Sequence, residues 1–138
     1  GLMLVTAAGE QAIAGVDDLA GRRVAVEWGS EGDVQARTLR RRLPDVQVLP
    51  QETAQLALRA VAEGQADATL VDNVSAVQFA AGDSRVRIHP QPVVSDPYVI
   101  VLPRKAPVLQ KRVEEALEAL RGDGALQALS EKWLGQAP

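Results

Sequence analysis

Two polar groups stand where apolar runs stop. Gly29-Ser30 closes the run Arg22–Trp28, and Asp72 closes the run Ala66–Asp72. Ser30, followed by Glu31 and Asp33, has the form of an N-cap and an acidic first turn. The start of a helix presents backbone N–H groups without intrahelical acceptors, here those of Glu31 and Gly32, together with positive partial charge. Both suit a carboxylate. Asp72 carries negative charge, which suits an ammonium group. If the strands that carry them are neighbours, donors and carboxylate face each other across one crevice and form a receptor for a zwitterion, an α-amino acid. A plainer reading stands beside each half. A Gly-Ser after a strand usually serves as a turn and cap, and an Asp that ends a strand commonly caps the next helix.

Other chemistries find less to work with. The chain has no cysteine and one histidine, which excludes disulfides, thiolate nucleophiles and a multi-histidine metal site. His89, Ser84 and Asp83 are the residue types of a hydrolytic triad, but neighbours in sequence are not a triad in space. Gly29-Ser30-Glu31-Gly32 lacks the lysine of a phosphate-binding loop. The aspartates are scattered rather than paired, so no two-carboxylate hydrolase site is visible. Arg37, Arg40, Arg41 and Arg42 form a basic helix end that complements the macrodipole and is expected to be solvated. No cofactor is implied.

Composition bounds the class. The 138 residues are 46% hydrophobic and 24% charged, ordinary values for a globular domain. Fifteen basic against 18 acidic residues leave a net charge of −3, so no nucleic-acid partner is expected. Aromatic residues make up 3%, too few for base stacking. No apolar run approaches the ~20 residues that span a bilayer. Gly1–Val5 is apolar but lacks a basic leader and is too short for a signal peptide; if the protein is exported, its address has been removed.

The elements that must hold the polar groups alternate. Leu2–Val5 is a short strand. Asp17 or Asp18 caps one loose turn that Gly21 ends. Strands at Arg22–Trp28, Val46–Leu49, Ala66–Asp72 and Val86–His89 are separated by helices at Ser30–Arg42, from Thr53 to Gly64, and at Asn73–Ala81. Tyr98–Leu102 is a fifth apolar run after Pro90 and Pro92. Two helices follow, with Val113, Leu117, Leu120 and Trp133 on apolar faces. Strand-helix alternation with short connections predicts an α/β fold: a mostly parallel open sheet of about five strands with helices on both faces, plus two C-terminal helices. In such sheets ligands bind beyond the carboxyl ends of strands where strand order reverses, which is where Ser30 and Asp72 would lie.

The segment Asp18-Leu19-Ala20-Gly21-Arg22-Arg23-Val24-Ala25-Val26, then Gly29-Ser30, then Gly64-Gln65-Ala66-Asp67-Ala68 and Asp72, resembles the second lobe of the family 3 extracellular solute-binding proteins. These are periplasmic amino-acid receptors of ABC importers with the type 2 periplasmic binding fold. Tyr98-Val99-Ile100-Val101, Arg104-Lys105, Leu117–Leu120, Asp123-Gly124, Leu129 and Lys132-Trp133-Leu134-Gly135 extend the resemblance from about Leu2 to Gly135. By that resemblance residues 1–102 are a ligand-binding lobe, and 103–138 are a helical segment that packs on a first lobe mostly missing here. Ser30 and the N–H of Glu31 would hold the α-carboxylate, with Gly29 beside them, and Asp72 the α-amine. Glu27 would meet the ligand side chain, and Trp28 either walls the cleft or packs in the core. Glu31 departs from the small or hydroxyl residue usual in the family, and helps only if it points away from the carboxylate. Glu27, Glu31 and Asp72 together suggest a polar or cationic amino acid, unless the glutamates are simply solvated.

The resemblance implies a non-catalytic binding module that captures its ligand by cleft closure, with a membrane permease as partner and an exported, periplasmic or extracellular, location. A sensor domain of a regulator or kinase and a dehydratase are the alternatives on the same fold. The apolar helical faces predict self-association through the C-terminal helices.

Overall fold

The computed structural model describes residues 1–95 and 98–134; Gly135 of the resemblance lies outside them. The order of elements is β1 (Leu2–Ala7), a 3-10 turn (Val16–Leu19), β2 (Arg23–Glu27), α1 (Glu31–Arg42), β3 (Gln47–Gln51), α2 (Ala54–Ala62), β4 (Ala68–Asp72), α3 (Asn73–Gly82), β5 (Val86–Ile88), α4 (Pro107–Gly122) and α5 (Ala125–Leu134). The chain divides into two compact units, Gly1–Asp96 and Pro97–Pro138.

In the first unit the strands form one open sheet of order β3-β2-β4-β1-β5. β2 pairs in parallel with β3 and β4, whereas β1 runs antiparallel to β4 and β5. Four strands therefore share a direction and β1 opposes them. The strand lengths follow from position. β4 lies inside the sheet, so Ala68–Val71 are all buried and read as an unbroken apolar run apart from Thr69. β3 is an edge, and there Pro50 is tolerated. The other edge, β5, has only three residues, which limits what it offers to a foreign strand.

Alternate side chains of each strand feed two cores. Val24 and Val26 of β2 join Ala68 and Leu70 of β4 and Ala36 and Leu39 of α1 on one face. Ala25 and Val71 meet Ala57, Leu58 and Val61 of α2 and Ala76 of α3 on the other. The α/β sheet with helices on both faces is thus present, and its period of two is visible in both central strands.

Local chemistry fixes the connections. Thr53 caps α2 by accepting the Leu56 N–H at 3.2 Å, and Gly64 turns the chain out of α2 at φ +72°. Asp67 then accepts the backbone N–H of Arg23 at 2.7 Å and its Nη2 at 2.9 Å. That fork ties the start of β2 to the approach of β4, and the Arg23 guanidinium holds the Asp67 carboxyl below its usual range. Asp18, rather than Asp17, serves the 3-10 turn, accepting the N–H groups of Ala14 and Gly15.

Leu2–Val5 is a strand as expected; within β1 it sits between β4 and β5 and completes the count of five. One sequence expectation needs adjustment. Tyr98–Leu102 forms no strand, and Tyr98, Val99, Ile100 and Val101 are exposed. Apolar content made it look like sheet, but among the described residues it has no ladder partner, and a strand exists only by pairing.

The second unit holds α4 and α5. Pro107 occupies the first turn of α4, where a missing N–H costs nothing, and Gly124, at φ +80°, separates the two helices.

Candidate functional site

The strand order decides the site. β3 lies outside β2 and β4 on its other side, so the chain reverses its direction of travel at the β2/β4 pair. The parallel register Val24↔Ala68 and Ala25↔Thr69 brings the carboxyl ends of both strands to the same edge. Ser30 follows one end and Asp72 is the other. Gly32, in the first turn of α1, lies so close to the backbone carbonyl of Leu70 that a Cβ there would collide with it. The helix start therefore rests directly on β4, beside the residue that ends it.

Ser30 caps α1, its Oγ accepting the Asp33 N–H at 3.3 Å. The N–H groups of Glu31 and Gly32 bond to no acceptor among the described residues, the usual condition of a first turn. Asp33 is 5% exposed. Its Oδ1 accepts Nε of Arg37 at 2.7 Å and its Oδ2 accepts the Gly29 N–H at 3.1 Å. The Arg37 bond is the main reason its carboxyl is held below the ordinary carboxylate range, against the opposite push of burial. Asp72 is exposed at the head of α3, where its Oδ1 accepts the Ser75 N–H at 2.9 Å. It is a helix cap, and that single bond occupies one of its two carboxylate oxygens.

Ser30, Glu31 and Asp72 line one cleft of about 70 Å³, together with Glu27, and its floor is made by Leu2, Gly32, Ala54 and Val71. A complete small-molecule pocket holds roughly 300 Å³ or more, so this cleft by itself is smaller than one. The Glu31 carboxylate points along its own helix, accepting Nε2 of Gln35 at 2.8 Å, and leaves the N–H groups above it uncrowded. Glu27 is half-buried at the cleft. Gly29 is not in the lining; at φ +75° it makes the turn into α1. Trp28 is 74% exposed and belongs to neither core nor cleft.

Sequence reasoning did not single out Leu2, Ala54 or Val71, and it named Gly32 only as a backbone donor and Asp33 only as an acidic residue of the first turn. Leu2 enters because β1 pairs with β4 in the register Leu2↔Asp72, and nothing local to the β1 sequence announces that partner. The signal for Asp33 was present: an acidic residue three after a serine N-cap is placed to bond back toward the turn.

The remaining candidates disperse. His89 is buried, with Nε2 3.1 Å from Thr6 Oγ1, while Asp83 is engaged by the Arg85 guanidinium at 2.6 Å. No triad forms from them. Arg40, Arg41 and Arg42 are exposed as expected, Arg42 in a surface ion pair with Asp17, whereas Arg37 is half-buried and paired with Asp33. Among the described residues no group of three or more histidine, cysteine, aspartate or glutamate residues is placed to hold a metal ion, and no helix is long and apolar enough to cross a membrane.

No family model matches the chain. It is 28% identical over 130 residues to the amino-acid-binding protein AabA of Dichelobacter nodosus, covering 90% of this chain and 50% of that protein. It is 29% identical over 133 residues to the L-cystine-binding protein TcyJ of Escherichia coli, covering 96% and 49% respectively. The chain thus spans about half the length of the curated relatives it matches. In fold it is similar to the unliganded, open L-cystine solute receptor of Neisseria gonorrhoeae, with a TM-score of 0.79 at 21% identity, covering 99% of this chain and 56% of the receptor. It is also similar to the GluR0 ligand-binding core from Nostoc punctiforme in complex with L-glutamate, with a TM-score of 0.67 at 30% identity, covering 96% and 60%. The isolated domain 2 of TmArgBP is matched over its full length by 69% of this chain, with a TM-score of 0.60 at 24% identity. By sequence over nearly all its length, and by fold, the chain is similar to amino-acid-binding proteins of the family 3 solute-binding type and corresponds to about half the length of one.

Proposed function

We propose that the chain is the ligand-holding lobe of an amino-acid receptor serving an ABC importer. The observation that carries this reading is the shared cleft: a helix start with two uncommitted N–H groups and a carboxylate from a non-consecutive strand open into one small depression. The donors take the α-carboxylate and Asp72 takes the α-ammonium. Glu27, at the same cleft, favours a polar or cationic side chain. Relatives similar in sequence are named as binding proteins, and we read the cleft likewise as one that holds a ligand rather than transforming it. A second lobe would close over the bound amino acid, exclude water, and present the closed state to a membrane permease, which places the working protein outside the cytoplasmic membrane. With one wall alone, half the polar contacts are absent and affinity falls to the millimolar range or weaker.

The test is an NMR titration of the 138-residue chain with L-arginine, chosen because Glu27 and Asp72 make the cleft acidic. Shifts confined to the amides of Ser30–Gly32 and to the surroundings of Asp72 are expected. D72N keeps a good helix cap. It should weaken L-arginine by about tenfold, the worth of one charge-assisted hydrogen bond, and leave the deaminated analogue 5-guanidinopentanoate unchanged. Equal loss for both ligands, shifts elsewhere, or sub-micromolar affinity for this chain would contradict the assignment.

A further inference from the structure

The buried charge nearest the donors is not one of the groups that line the cleft. Asp33 sits in the first turn of α1 with 7% of its side chain exposed, and each of its polar groups has a separate task. Its backbone N–H fixes the Ser30 hydroxyl, its Oδ2 fixes the Gly29 N–H, and its Oδ1 takes Arg37. Gly29 makes its turn at φ +75°, which suits a glycine, and the Asp33 bond ties its N–H in that turn. Gly32, pressed on the Leu70 carbonyl, closes the loop from the other side. The donors of Glu31 and Gly32 are therefore held at both ends before any ligand arrives. Locking them with a carboxylate has a cost, since a negative charge behind an anion seat repels the anion. Arg37, four residues on and on the same helix face, supplies the compensating charge.

We propose that Asp33 and Arg37 form a positioning pair: Asp33 locks the donor loop in the geometry that receives a carboxylate, and Arg37 cancels the field of the lock. The pair touches no ligand itself and acts through Gly29, Ser30 and the N–H groups after them. The proposal rests on the reading of the cleft given above.

Three variants of the chain test it with L-arginine and argininamide as probes. The wild-type titration comes first: no response at Ser30–Gly32 would overturn both the receptor reading and this pair. Given a response, D33N should speed exchange of the Gly29 amide by about tenfold or more, as expected for loss of a charge-assisted hydrogen bond. It should also weaken L-arginine, and D33E should recover both. An unchanged Gly29 amide, or a loosened one with unchanged L-arginine affinity, overturns the lock while leaving the receptor reading intact. R37M leaves the Asp33 carboxylate without its counter-charge. It should lower the ratio of L-arginine to argininamide affinity, because only the first ligand carries an anion. An unchanged ratio overturns the compensation, since a purely structural role for Arg37 would weaken both ligands alike.

Discussion

At the scale of the residue, a few charged groups of this chain serve more than one donor, as Asp33 and Asp67 do. Asp72 is a helix cap by geometry and, in the proposed receptor, would also meet the ligand's ammonium; one carboxylate has oxygens enough for both. His89 shows the opposite economy. Its ring is buried against Thr6, and burial, aided by the positive charge of Arg87, lowers its pKa below the ordinary histidine value. The unfolded chain therefore binds the proton first as pH falls. Stability should be full above about 6.5, the unfolded value, and decline as pH drops from there toward the lower folded value. The lowered carboxyls of Asp33, Asp67 and Asp83 shed their stabilisation only further down, from about 3.9 toward their folded values, about 2 for Asp83. The window between pH 7 and 5 thus isolates the histidine. Thermal melts across it should show the midpoint falling for the wild-type chain and much less for H89Q; parallel curves would assign the acid sensitivity to another group.

At the scale of the element, the site depends on how closely α1 approaches β4. Gly32→Ala tests this directly. The added methyl meets a backbone carbonyl, which cannot swing aside as a side chain could. We expect a loss of about 1–3 kcal/mol in denaturant unfolding, typical of overpacking, with the amides of Glu31 and Asp72 both perturbed. An Ala variant as stable as wild type, with both amides unmoved, would show that the contact is loose. The same approach marks the limit of what sequence reveals. Turn residues and caps located β2, α1, β3, α2, β4 and α3 closely, because Ser30, Thr53, Gly64 and Asp72 act on their immediate neighbours. The β3-β2-β4 order stood in the sequence only as a condition for a shared crevice, and the structure supplies it. The direction and place of β1 were not legible: Leu2–Val5 is apolar on both faces, which signals burial and says nothing of partner or polarity. Nor was the exposure of Trp28 and of the run from Tyr98, since apolar composition registers an affinity for burial and not whether a partner is at hand.

At the scale of the whole molecule, the chain matches about half the length of its relatives, and its second unit carries the consequence. No residue of α4 is buried; Val108 is 73% exposed, and Leu109, Leu120, Leu129 and Trp133 also face outward. Helices of this length owe most of their stability to a covered apolar face, and exposed clusters of this kind mark association surfaces. In a longer receptor a first lobe would supply the cover. In this chain by itself the cover would be its own sheet unit or another copy; we expect another copy, since C2 pairing of like faces is the commonest closed arrangement. Sedimentation of the 138-residue chain should therefore give a mass that rises with concentration toward a dimer. Replacing Leu120 and Trp133 by glutamine should return it to the monomer without altering the far-UV signal of the sheet. A wild-type chain that stays monomeric at millimolar concentration would mean that α4 and α5 survive uncovered, and would remove self-association as a property of these helices.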